Sequence, residues 1–247
     1  VQSASTYTVC ASGCDFATIQ AGVSGATSGD TLTVGAGNYA EGVTIDRDLT
    51  IVGAGSAASY WSDSGIAARV DDSYTVSISG FTIASTNNRA VKLSKGTFTL
   101  DDIVIMNQNK SKNGVAILLN SGGSLVASNL SLSGNDAQNG YGGHLYCSGS
   151  TLTVSDSTLK GGKSRTAGGG VYLTNCLASF VRVDFEQNQA THTSGVSMNG
   201  GALYTVNSTV DIDACTFKEN EAKDDGGGIY ATTREVFISG TALFDQN

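Results

Sequence analysis

The sequence predicts an all-β solenoid, and three observations carry that reading. Four Gly-rich segments ending in Tyr recur along the chain: Gly142-Gly143-His144-Leu145-Tyr146, Gly168-Gly169-Gly170-Val171-Tyr172, Gly200-Gly201-Ala202-Leu203-Tyr204 and Gly226-Gly227-Gly228-Ile229-Tyr230, with tyrosines 26, 32 and 26 residues apart. Two period-two apolar pairs follow each Tyr at fixed offsets, for example Val154 with Leu152 and then Leu159, or Ile212 with Val210 and then Phe217. Helical spacing is confined to one short stretch near the N-terminus. Period two belongs to strands, whose side chains alternate between faces. A unit of roughly 27 residues with two such strands cannot bury its inner face alone, so successive units must stack.

Composition bounds the rest. The chain has 247 residues and a net charge of −8, which excludes a nucleic-acid binder, because phosphate contacts need a basic surface. Only 15% of residues are charged, Gly supplies 32 and Pro none. Collagen needs Pro and a strict third-residue Gly, and disordered chains lack the Val, Ile and Leu present here. The length allows one domain with a sizeable core. No apolar run approaches the roughly 18 residues of a membrane span. Val1 stands where Met would, with no basic-then-apolar stretch behind it, and reads as a chain whose leader is already gone.

Residues 1–35 form the expected N-terminal cap, a short helix and a first strand. Phe16, Ile19 and Val23 fall on one helical face, with Asp15 as the N-cap. Cys10 and Cys14 are four residues apart and can pair if the segment turns; two reduced thiols are the alternative. Residues 36–247 form the solenoid. Val76, Ile78, Phe81 and Ile83 make one early coil, Phe98, Leu100, Ile103 and Ile105 the next, and Leu125, Ala127, Leu130 and Leu132 another. The inward columns are expected to be a tyrosine ladder (Tyr146, Tyr172, Tyr204, Tyr230) and a second ladder of Leu159, Phe185, Phe217 and Leu243. Asn135, Asn188 and Asn220 read as a structural column whose amides bond from coil to coil and whose backbones turn left-handed.

The opening residues, Phe16-Ala17-Thr18-Ile19-Gln20-Ala21, Gly29-Asp30-Thr31-Leu32-Thr33-Val34, Gly37-Asn38-Tyr39, Val43-Thr44-Ile45 and Leu49-Thr50-Ile51-Val52-Gly53, resemble the N-terminal signature of right-handed parallel β-helices of the pectin-lyase-like superfamily. The later coils resemble the repeats of polymorphic outer membrane protein adhesins, in which a Gly-Gly-Ala-aliphatic motif alternates with Phe-x-x-Asn, here Phe185-Glu186-Gln187-Asn188, Phe217-Lys218-Glu219-Asn220 and Phe244-Asp245-Gln246-Asn247. The resemblance implies a right-handed single-stranded parallel β-helix of about eight or nine coils, with a short N-terminal capping helix.

That superfamily includes polysaccharide lyases and hydrolases, so an enzyme must be sought among the residues. Hydrolysis needs paired carboxyls. The best cluster is Asp156, Arg182, Asp184, Asp211 and Asp213, with Asp156 beside Arg182 one coil on, and its plainer reading is a surface ion pair. The superfamily's hydrolase signatures are absent, and Asp101-Asp102 and Asp224-Asp225 lack an accompanying His or Lys. No cofactor or metal is expected; calcium at Asp224-Asp225 is the weaker alternative. Cys147 and Cys176 are a candidate second disulfide across adjacent coils, and Cys215 reads as a buried small hydrophobe. Asn109, Asn129 and Asn207 open glycosylation sequons. The longer coil between Tyr172 and Tyr204 projects a loop whose Thr191, His192 and Thr193 are candidate partner contacts.

The expected function is therefore a non-enzymatic secreted or cell-surface structural or adhesive protein, a segment or subunit of an extracellular assembly. Its partners would be a protein or glycan at the cell surface, or further copies packed on the C-terminal coil. The alternatives are a carbohydrate-active enzyme using Asp156, Arg182, Asp211 and Asp213, and, below it, an ice- or surface-binding protein. The row Ser77, Thr99, Val126, Thr153, Ser179, Asp211 and Phe237 is too irregular to favour ice. At the C-terminal end, Tyr230, Val236, Ile238 and Leu243 are expected to need cover from more chain or from a partner.

Overall fold

The computed structural model describes residues 3–191, 198–232 and 235–247. The chain is an all-β parallel solenoid of about nine turns. Among the described residues a 14-stranded sheet and an 8-stranded sheet run along its length, with a 3-stranded sheet at one corner. All strand pairings between coils are parallel and in register, so each side chain stacks on its counterpart ~4.8 Å away.

The strands of the long sheet show why the sequence reads as paired short strands. Thr97–Met106, Ser124–Ser133, Thr151–Lys160 and Leu177–Glu186 each alternate buried and exposed residues, miss one beat, and resume. The missed beat is a left-handed residue. Gly80, Asp102, Asn129, Asp156, Arg182, Ala214 and Gly240 occupy this bend in successive coils, with φ between 49° and 73°. A second left-handed column, Asn107, Gly134, Gly161, Gln187, Glu219 and Gln246, ends the same strands. A third, Lys95, Ser121, Gly149, Asn175 and Asn207, ends the strands of the 8-stranded sheet. These corners accept many residue types. The fourth, Gly114, Gly142, Gly168, Gly200 and Gly226, accepts glycine alone: besides the positive φ, a Cβ at Gly168 would stand 2.3 Å from the Val171 carbonyl oxygen.

The core fills with the expected columns. Phe98, Leu125, Leu152, Ala178 and Val210 stack inward, as do Phe185 and Phe217, all essentially inaccessible. Phe185 and Phe217 are parallel at 4.7 Å, and the next ring in the ladder is Phe244, also at 4.7 Å, not Leu243. The last coil carries one more residue between its half-strands: Asp213 pairs with Ser239, but Thr216 pairs with Leu243. That insertion moves Leu243 to the outward side of the strand, where it is 55% exposed.

The tyrosine ladder faces outward, against expectation. In Leu145–Ser148, Val171–Thr174 and Leu203–Val206 the buried residues are the neighbours of each Tyr, Leu145 and Cys147 for example, and the ring lies half-exposed on the opposite face. Strand alternation lets only one of the two sets turn inward, and an aliphatic side chain buries without stranding a hydroxyl.

The helix is also shorter than its pattern suggests. It spans Ile19–Gly25 and buries Ile19, Gly22 and Val23. Its N-cap is Thr18, whose hydroxyl accepts the Ala21 N–H; the Glu41 carboxylate accepts the Ile19 and Gln20 N–H groups. Asp15 instead accepts the Thr8 N–H and hydroxyl, and Phe16 sits in a bridge to Val9 with its ring edge-on to Tyr7. Both proposed disulfides are present, Cys10–Cys14 with Cα atoms 5.5 Å apart and Cys147–Cys176 at 6.5 Å. Cys215 is reduced and buried, its sulfur 3.4 Å from the Val183 nitrogen and the Phe180 and Asp213 carbonyls.

Candidate functional site

The outward face of the long sheet gathers the acids. Arg182 takes the left-handed corner one coil beyond Asp156, which swings its guanidinium back along the column. Its Nε and Nη2 donate to the two oxygens of Asp156 at 2.6 and 2.8 Å. This bidentate bond is the first cause of an Asp156 carboxyl held below the usual carboxylate range. Asp213 pairs with Val181, next to Arg182, and accepts the Ser239 hydroxyl at 3.1 Å. Asp211 lies two residues earlier, opposite Ser179, and is exposed. The four residues therefore do form one patch, but in a particular order. Asp156 and Asp213 belong to coils two apart, on the order of 9.6 Å along the axis, with Arg182 in the coil between. The gap where two carboxyls would hold a sugar and a water contains a guanidinium already bonded to one of them.

Other acids are also hydrogen-bonded, whereas Asp184 and Asp211 on this face are exposed with no partner among the described residues. Asp101 accepts the Ser128 hydroxyl and the Asn129 amide, each at 2.7 Å, and these bonds lower its carboxyl. Asp102 accepts the Ser56 hydroxyl at 2.6 Å and the Ser56 N–H at 3.0 Å. Asp224 accepts the Met198 N–H. Among the described residues no three His, Cys, Asp or Glu side chains are grouped to hold a metal ion. Concavities lie elsewhere: an open trough of about 400 Å³ lined by Gly161, Lys163, Gln187, Gln189 and Glu219, a smaller one around Asp48 and Thr75, and one of about 460 Å³ at the C-terminal corner around Glu221 and Gln246. None of these is lined by Asp156, Arg182, Asp211 or Asp213.

Inside the rod runs an amide ladder that the Asn column foreshadows. The Asn188 side-chain carbonyl accepts the Gly162 N–H, Asn220 does the same for Asn188, and Asn247 for Asn220, at 2.8 to 3.1 Å. Each amide nitrogen donates to a strand carbonyl: Asn188 to Leu159, Asn220 to Phe185, Asn247 to Phe217. The asparagines are not left-handed; the residues before them, Gln187, Glu219 and Gln246, are. One rung is missing at Gly162, and the imidazole of His144 fills it. Asn135 Nδ2 donates to the Ile105 carbonyl and lies 3.0 Å from His144 Nδ1, while Nε2, fully buried, has no partner among the described residues. Desolvation drives the imidazole down to about 3, so the ring is neutral at physiological pH. Sequence reading assigned His144 no role. The signal was a reciprocal exchange: His144 stands where other coils have Gly170, Ala202 or Gly228, and Gly162 where they have Asn.

Of the expected loop contacts, Thr191 is half-buried, while His192 and Thr193 lie outside the described residues. Asn109, Asn129 and Asn207 are all exposed. The 8-stranded sheet carries the outward tyrosines, with ring centroids 5.4, 5.0 and 5.3 Å apart from Tyr146 to Tyr230 and planes within 18° of parallel.

Residues 214–232 match the family model of the Chlamydia polymorphic membrane protein repeat. No curated protein sequence matches the chain. Solved structures that resemble it include a pectin methylesterase in complex with hexasaccharide VII, at 12% identity over 95% of this chain and 89% of that one, with a TM-score of 0.49. Pectin methylesterase PemA from Erwinia chrysanthemi has the same identity and coverage at a TM-score of 0.47. The PL6 family alginate lyase AlyGC matches 92% of this chain and 37% of its own at 12% identity, with a TM-score of 0.39. These are parallel β-helices that this chain resembles in fold.

Proposed function

We propose that the chain is a non-enzymatic structural or adhesive β-helix, secreted or displayed at a cell surface, which engages a protein or glycan there. The observation that carries this reading is the state of the outward acids. General acid–base cleavage needs one carboxyl kept protonated near neutrality. Every Asp or Glu whose affinity for protons is displaced, among the described residues, is displaced downward by hydrogen bonds or cations, Asp101, Asp156 and Glu219 included. Two disulfides favour an oxidising compartment. The short helix, packed on the first strands, serves as the N-terminal cap in this reading. Exposed Asn109, Asn129 and Asn207 are acceptors for glycans if the source glycosylates.

The test is incubation with polygalacturonate, methyl-esterified pectin and alginate. The expected result is no release of reducing ends, unsaturated ends or methanol. Release by the purified chain that disappears in both Asp156→Ala and Asp213→Ala would overturn the reading.

A further inference from the structure

The charges of this molecule are segregated by sheet. The chain has 22 acids, yet none lies on any strand of the 8-stranded sheet, from Val43–Thr44 to Ile229–Thr232. Among the described residues, its only charges are Arg69 and Lys92 near the N-terminal end, both paired with Asp71. Beyond them the outward surface is two uncharged rows. One is the stack Tyr146, Tyr172, Tyr204 and Tyr230; the other runs through Asn120, Ser148, Thr174, Val206 and Thr232.

The phenol hydroxyls of the four stacked tyrosines have no hydrogen-bond partner among the described residues. Because the rings are parallel, Tyr172 and Tyr204 have both faces covered by their neighbours and present edges and hydroxyls outward, while Tyr146 and Tyr230 are each stacked on one face. Tyr141 leans on Tyr172 at 4.6 Å and adds one exposed ring to the strip. Burial, and then the adjacent phenols, push the Tyr172 hydroxyl up to about 12. The surface is thus a line of donors and acceptors about 5 Å apart, parallel to the rod axis, stiffened by a stack that loses little entropy on contact.

We propose that this face docks an uncharged, hydroxyl-rich linear polysaccharide lying along the rod axis across the Tyr146–Tyr230 ladder. The proposal rests on the adhesive reading above and names its partner class. Charge selects the occupant. A net charge of −8 repels an acidic polymer, and it equally opposes side-by-side packing of two copies, whose unpartnered phenols would in addition have to be satisfied by each other. A neutral polymer meets neither obstacle. With ring faces covered, recognition runs through hydroxyls and ring edges at each coil, so single contacts are weak and affinity grows with the number of coils engaged.

Affinity electrophoresis in gels carrying soluble β-glucan, mannan or glycol chitin tests this, with polygalacturonate as the charged control. Retardation by at least one neutral polymer is expected, unchanged between about 0.05 and about 0.5 M salt. Tyr172→Ala combined with Tyr204→Ala should weaken it at least about tenfold, a change of about 1.4 kcal/mol, while Asp156→Asn leaves it intact. Should the alanine variant fold poorly by circular dichroism, the paired Phe variants keep the stack and remove only hydroxyls; loss of retardation there supports the proposal. Full retention by the Phe variants, retardation by polygalacturonate alone, or a dimer in sedimentation that dissociates in Tyr172→Phe overturns it. Product release from uronates bears on the non-catalytic reading and leaves this result independent.

Discussion

His144 and Gly162 form a coupled pair, and breaking them separately should cost more than exchanging them together. A Cβ placed on Gly162 would stand 2.6 Å from His144 Cδ2 and 2.7 Å from Nε2, so Gly162→Asn alone must expel the ring. Overpacking of this kind costs about 1–3 kcal/mol. His144→Ala alone empties a fully buried site, at about 3 kcal/mol by analogy with other large-to-small core changes. In the double variant the ring is gone, and the new amide can accept the Asn135 N–H and continue the ladder. The remaining close approach, 2.8 Å to the Gly169 carbonyl, needs a small backbone shift. The double variant should therefore be more stable than the sum of the singles by about 2 kcal/mol, within the range seen for contacting residues. Denaturant unfolding of all four proteins at pH 7.5 measures it.

A pH series gives the same pair a second readout. The imidazole stays neutral in the folded chain down to about pH 3 but takes up a proton in the unfolded chain below 6.5. Stability from its neutral burial is fully present above 6.5 and falls by about 1.4 kcal/mol per pH unit below it, the accumulated loss being about 5 kcal/mol near pH 3. Wild-type protein should lose this stability between pH 6.5 and 3, and His144→Ala should lack that slope. Additivity of the single variants within about 0.5 kcal/mol, or an identical acid slope in His144→Ala, would refute the ladder-gap argument.

Two further outcomes follow from the packing. Phe217→Ala should cost roughly 3–5 kcal/mol, whereas Tyr204→Ala, which removes two stacking contacts on the outer face, should cost about 1–3 kcal/mol; equal losses in thermal unfolding would mean that the faces are misassigned. The Cys147–Cys176 bond closes a loop between residues 29 apart, and replacing both cysteines by Ser should lower stability by about 3.6 kcal/mol if the effect is chain entropy, read by denaturant unfolding of oxidised protein; a loss under about 1 kcal/mol would contradict that account.

The coil register was readable because stacking repeats each chemical choice every coil. The outward row from Ser77 to Phe237 and the Asp156–Arg182 contact both fall where offsets from the anchor place them. The same logic failed where two residues competed for one face. Tyr172 and Val171 both look like core, and only the unsatisfied hydroxyl decides between them. The glycine column of left-handed turns was legible from the repeated Gly pairs, but the mid-strand bend was not, because Asp102, Asn129, Arg182 and Ala214 share a backbone shape and no side-chain chemistry. In the last coil a single extra residue exchanged Leu243 for Phe244, although the Phe-x-x-Asn motif already marked the correct member. The candidate enzyme patch was legible as residues, but the side chain between Asp156 and Asp213 was not legible as an obstruction. That required the left-handed turn at Arg182 to aim its guanidinium at the earlier coil.

The central claim, that hydrogen bonds hold Asp156 and Asp101 of the long sheet ionised, is tested most directly by carbon-detected NMR titration of the Asp and Glu carboxyls. Asp156 and Asp101 should titrate below the ordinary 3.8, with the Asp156 transition moving upward when Arg182 is replaced by Gln. A carboxyl of that face titrating near neutrality, with a second still ionised beside it, would contradict the claim and restore a catalytic pair.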